Sequence, residues 1–79
     1  MNQQEEALVI LMEECSEVSV EASKILRFGN EYTKLENEIG DLMFMVGYLV
    51  EKGLIDLDRI EKHAENKREK LRKWSNLDL

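Results

Sequence analysis

An all-α fold is predicted for this chain, three helices in one domain spanning residues 1–79, and three observations predict it. Apolar residues recur at three- and four-residue spacing along the whole sequence, and no stretch alternates with a period of two. There is no proline to interrupt a helix. Glycines stand at 29, 40, 47 and 53, and two of them, Gly29 and Gly53, fall where periodic segments stop, as the residue just past a helix does.

The spans that follow are Glu5–Phe28, Thr33–Lys52 and Leu57–Trp74. The first helix carries an apolar stripe at Leu8, Leu11, Cys15, Val18, Ala22, Ile25 and Leu26. Thr33 with Glu36 has the spacing of a capping box at the start of the second helix. That helix carries Leu35, Ile39, Leu42, Met43, Val46, Leu49 and Val50, with Phe44, Met45 and Tyr48 outside the main stripe. Asp58 with Glu61 resembles a second box, and the third helix shows Leu57, Ile60, Ala64, Leu71 and Trp74. A short connection after Phe28 predicts that the first two helices form an antiparallel hairpin.

The second helix is apolar nearly all round, and three short helices cannot enclose it. A partner chain is the simplest remedy, so the expected assembly is a helical-bundle oligomer, either a homodimer or a dimer-of-dimers tetramer. Glycine inside a helix costs about 1 kcal/mol relative to alanine, so Gly40 and Gly47 are expected to serve close helix approach.

Composition narrows the function classes. The net charge of −6 argues against direct nucleic-acid binding, and no apolar run reaches the ~20 residues of a membrane span. The first residues, Met-Asn-Gln-Gln-Glu-Glu, lack the basic and apolar regions of a secretory leader, and Cys15 has no cysteine to pair with. A cytoplasmic location is therefore expected, with Cys15 a small buried hydrophobe. The charge is uneven: 13 acids against 4 bases through Asp58, then 4 against 7. Such a chain can hold a cation in its body and phosphate on its last helix.

Two carboxylate pairs point to that cation. Glu14 with Glu17, and Glu38 with Asp41, are each spaced i, i+3, so each pair shares one side of its helix. Both pairs are displaced in the same rotational sense from their apolar stripes. Antiparallel packing then brings all four to one face of the hairpin, where carboxylate oxygens suit a hard divalent ion. Ile10 and Phe28 share this strip on the first helix, and Met45 and Leu49 flank it on the second, which predicts partly buried carboxylates. On the third helix, Lys62 and Asn66 lie one turn apart, a point charge and a donor–acceptor pair suited to phosphate or sugar. His63 is expected at the surface or an interface, and Trp74 as a core or interface anchor.

The run Glu13-Glu14-Cys15-Ser16-Glu17, followed after a gap by Glu38-Ile39-Gly40-Asp41, resembles the E-x-x-E…E-x-x-D signature of the MazG-like all-α nucleoside triphosphate pyrophosphohydrolases. The basic third helix with Lys62 and Asn66 looks like the phosphate-contacting stretch of related members. The resemblance implies that Glu14, Glu17, Glu38 and Asp41 hold Mg²⁺, with Mn²⁺ a possible substitute. It implies cleavage of a nucleoside triphosphate between the α and β phosphates, releasing a nucleoside monophosphate and pyrophosphate. Phosphoribosyl-ATP pyrophosphohydrolase shares the signature on a different substrate. A non-enzymatic helical protein whose acidic face binds a basic partner is the competing class.

Overall fold

A computed structural model describes all residues from Met1 to Leu79. It contains three helices and no strand: α1 (Gln3–Phe28), α2 (Thr33–Glu51) and α3 (Leu57–Trp74). The predicted architecture holds, with the first helix starting two residues earlier than periodicity indicates. The reason is a capping box upstream of the apolar stripe: Asn2 Oδ1 accepts from the Glu5 amide at 2.7 Å, and Glu5 Oε1 accepts from the Asn2 amide at 3.0 Å.

The other caps correct two expectations. Tyr32, not Thr33, precedes the first turn of α2, and no side chain caps it. At α3 the cap is Asp56, which accepts from the Arg59 amide at 3.1 Å, so the Asp58–Glu61 box does not form. Both glycine stops are as predicted. Gly29 adopts φ 67° and donates to Ile25 at 2.8 Å. Gly53 adopts φ 72°, with Gly53 donating to Val50 and Leu54 to Leu49, both at 3.0 Å. This is the paired closure of a Schellman turn, which a side chain with a Cβ disfavours.

The short Gly29–Tyr32 connection folds α2 back along α1, and this hairpin is the one extensive helix–helix contact. Its buried centre is small: Ala7, Met45 and Leu49, with Ile10, Leu11 and Tyr48 packed against it. Met45 is thus core, although it lies outside the stripe read from the sequence. Conversely, Leu8, Leu26, Ile39 and Met43 of the expected stripes are exposed, Leu26 by 88%, and Cys15 is exposed as well. The physical reason is a rotation. The residues that face the partner helix, such as Ala7, Leu11, Glu14 and Val18 on α1, are centred about 50° round the helical wheel from the expected stripe. The stripe averaged two apolar faces, the contact between α1 and α2 and an exposed back face.

α3 carries no buried residue, and Trp74 is 83% exposed, so it anchors nothing within the protomer. The molecule measures 40 × 30 × 16 Å. Its long dimension equals one 26-residue helix, about 39 Å. A Cβ added at Gly40 or Gly47 would meet nothing within 4 Å, so neither glycine serves close approach inside one chain.

Candidate metal centre

Three acidic side chains converge on the front of the hairpin. Glu14 and Glu17 sit one turn apart on α1, and antiparallel pairing sets Glu38 of α2 against them. One carboxylate oxygen from each lies within 4.8 Å of the others. Glu14 and Glu38 are half-buried and Glu17 is exposed. Asp41, the fourth residue expected here, is exposed and stands outside this tight trio, yet its charge acts on both Glu14 and Glu38.

The electrostatics of the cluster are those of like charges without a counter-ion. Glu14 is held above its ordinary pKa, first by burial, then by the charges of Asp41, Glu17 and Glu13. Glu38 is pushed up to about 6, first by a proton shared with the Glu17 side chain, then by burial and by the charges of Glu17, Asp41 and Glu14. The ion pairs of the molecule, Lys24–Glu21 at 3.2 Å and Arg72–Glu69 at 3.1 Å, both lie elsewhere. Moreover, Oε2 of Glu14 and Oε2 of Glu38 are buried with no hydrogen-bond partner. Buried carboxylate oxygens without donors are costly, and a bound cation or a proton would relieve them.

The donor set fits a divalent metal. All three convergent ligands are hard oxygens, two of them already desolvated, which suits Mg²⁺ or Mn²⁺ and does not suit the softer ions that prefer sulfur and imidazole. Arrangement on two packed helices gives the side chains a fixed spacing that a loop would not.

The remaining predicted site residues lie apart from this cluster. Lys62 and Asn66 are exposed on α3, which does not pack on the hairpin, and no α3 cation figures among the charges acting on Glu14 or Glu38. Asn66 lines a shallow polar depression with His63, Lys67, Glu69 and Lys70, and Lys62 makes no ion pair. Sequence reasoning overlooked Glu21, whose side chain is only 14% exposed and pairs with Lys24. The signal was present: Glu21 stands seven residues after Glu14, on the same strip of α1.

No helix is long and apolar enough to cross a membrane. No curated protein and no solved structure matches the chain. The family model for the MazG nucleotide pyrophosphohydrolase domain matches residues 2–74, nearly the whole length and all three helices. That match spans both halves of the acidic cluster, and the chain therefore belongs to the MazG nucleotide pyrophosphohydrolase domain family.

Proposed function

We propose that this protein is a Mg²⁺-dependent nucleoside triphosphate pyrophosphohydrolase, cleaving ribo- or deoxynucleoside triphosphates between the α and β phosphates. The observation that carries the reading is that Glu14 and Glu38, each with a buried carboxylate oxygen lacking a hydrogen-bond partner, belong to a three-carboxylate cluster. Glu14, Glu17 and Glu38 would hold the cation, with Asp41 beside them. Bound there, a divalent ion supplies charge neutralisation for the triphosphate and lowers the pKa of water.

The chain's own groups account for the rest. Water displaces pyrophosphate at the α phosphorus, and its proton goes to a carboxylate; Glu17 and Glu13, both exposed on α1, are the available acceptors. Lys62 and Asn66 are proposed to contact the phosphates or sugar, which requires α3 to approach the acidic front. Within one chain α3 makes no extensive contact with the hairpin, so a second copy is the natural source of that approach.

Surface area supports such a copy. The protomer exposes 6671 Å², against about 5000 Å² for a folded monomer of 9.3 kDa. The excess is larger than the ~800 Å² per partner of a standard interface. Leu8, Met12, Ile39 and Met43 are all exposed and lie about 100–160° round their helices from Glu14 and Glu38, on the back of the hairpin. A homodimer or dimer-of-dimers tetramer formed through that back face would leave the acidic front free.

The test is hydrolysis of the eight common ribo- and deoxynucleoside triphosphates with and without Mg²⁺, with products separated by chromatography. Monophosphate plus pyrophosphate is expected, reduced at least 100-fold in Glu38→Gln, as loss of transition-state charge stabilisation does. Diphosphate plus phosphate would place the acids in a different phosphohydrolase. Turnover of phosphoribosyl-ATP alone would move the substrate to that related chemistry. No turnover with any of these, together with no Mg²⁺ effect on melting, would favour the acidic interaction protein.

A further inference from the structure

The acidic cluster is the middle of a longer strip. On α1, Gln3, Ala7 and Ile10 continue the side of the helix that bears Glu14 and Glu17; on α2, Met45 and Tyr48 continue the side that bears Glu38 and Asp41. Between these continuations the hairpin opens a groove of 340 Å³ with Phe44 along one wall and Gln3 and Glu6 at its polar rim. Ile10 is one helical turn from Glu14, about 6 Å along the axis, so the groove begins where the acids end.

We propose that this groove binds the nucleoside of the substrate, with Phe44 as the stacking platform for the base and Gln3 and Glu6 reading its edge. The inference rests on the proposed hydrolase activity, which supplies the phosphates, and it adds where the base lies. Four features converge on that occupant. The volume is that of a small-ligand site, and the lining is apolar with a few polar groups, as such sites are. Phe44 is 70% exposed, an aromatic ring without an intramolecular partner, and every nucleobase offers a π face to it. Tyr48 is a second aromatic ring in the lining, with Lys52 Nζ 5.6 Å from its centroid. Gln3 both donates and accepts, and Glu6 accepts, which are the contacts a base edge requires.

The strip also has a direction. Beyond the acids, away from the groove, it bears the charged pair Glu21–Lys24 at 3.2 Å. That pair offers no apolar counterpart to a base, so the substrate lies with its base toward Gln3 and its phosphates at the acids.

Amide spectra of the ¹⁵N-labelled full chain test the groove without turnover. Adenosine, cytidine and uridine, which carry no phosphate, are titrated in EDTA; Mg²⁺ is titrated separately. Saturable shifts at Ala7, Ile10, Met45 and Tyr48 are expected with nucleoside, at least fivefold weaker in affinity in Phe44→Ala, an exposed position whose truncation leaves the core intact. Mg²⁺ alone is expected to move Glu14, Glu17, Glu38 and Asp41. Nucleoside leaving the groove signals unmoved while Mg²⁺ moves the acids would overturn the groove and spare the hydrolase. Groove signals that follow protein concentration and ignore nucleoside would also overturn it, since a second copy then fills the space. Acids silent to Mg²⁺ would count against the hydrolase itself, in a readout separate from the groove.

Discussion

Glu38 and Glu14 behave as they do because three carboxylates are drawn together before any cation arrives. Glu38 holds its proton to about pH 6, against an ordinary value of 4.5. In that window the folded protein binds more protons than the unfolded chain, so the stability of the metal-free protein falls as pH rises from 4.5 to about 6, then levels off. A cation competing with that proton gains affinity over the same window. Thermal melts from pH 4.5 to 7.5 should therefore show an Mg²⁺-induced rise in Tm that is full above pH 6 and fades toward 4.5. A Tm rise independent of pH would mean that the metal binds away from Glu38. Glu38→Gln should raise the Tm of the metal-free protein at pH 7.5, by removing one of the mutually repelling charges, while erasing the Mg²⁺ effect. A residue retained at a cost to folding and needed for the metal has a functional reason to be there. Cys15 illustrates the opposite case: it follows Glu14 directly in sequence, but it is exposed and takes no part in the acidic cluster.

At the scale of the helices, the acids depend on α1 and α2 being rigid and in register, and the register is set by the short connection and by the packing of Ala7 against Met45 and Leu49. α2 is the weaker of the two, with no side-chain cap and two internal glycines. Gly47→Ala has space for its methyl in the protomer and should stabilise α2 by up to about 1 kcal/mol, raising Tm by several degrees in a domain of this size. Loss of Tm together with loss of assembled mass would show that a partner helix crosses at Gly47. α3 stands differently. It is basic, amphipathic, capped by Asp56 and Ser75, and makes no extensive contact with the other helices of its own chain. An isolated helix of this length is marginal in water, so tertiary or quaternary packing has to hold it.

The whole molecule is an antiparallel hairpin with a loosely attached third helix, and the hairpin has an acidic front and an apolar back. Its radius of gyration, 14.9 Å, exceeds the ~12 Å typical of a packed domain of this length. Sedimentation or light scattering is expected to give a dimer or tetramer at micromolar concentration, and Met43→Glu on the back face should dissociate it. A stable, well-melting wild-type monomer would contradict the assembly. Because Met43 is 67% exposed, the same substitution should leave the α1–α2 hairpin folded, so that helical circular dichroism falls by no more than the share of α3.

Three helices, their order, the glycine stops and the approach of Glu14 and Glu17 to Glu38 were legible in the sequence, because helical periodicity and i, i+3 spacing are local properties, whereas Asp41, expected with them, stands outside the trio. The cap residues were partly missed, since Asn2 and Asp56 lie outside the periodic segments that drew attention to Thr33 and Asp58. What only the tertiary structure decided was which apolar side of each helix meets the other. Hydrophobic periodicity reports that a side chain is to be buried and carries no sign of whether its own chain or another copy buries it. Hence Leu8, Ile39 and Met43 were read with the core, Met45 apart from it, and the groove running from Ile10 to Tyr48 passed unseen. The exact rotation of α1 on α2 depends on how Ala7, Met45 and Leu49 interlock, a property of two surfaces in contact that neither helix carries alone.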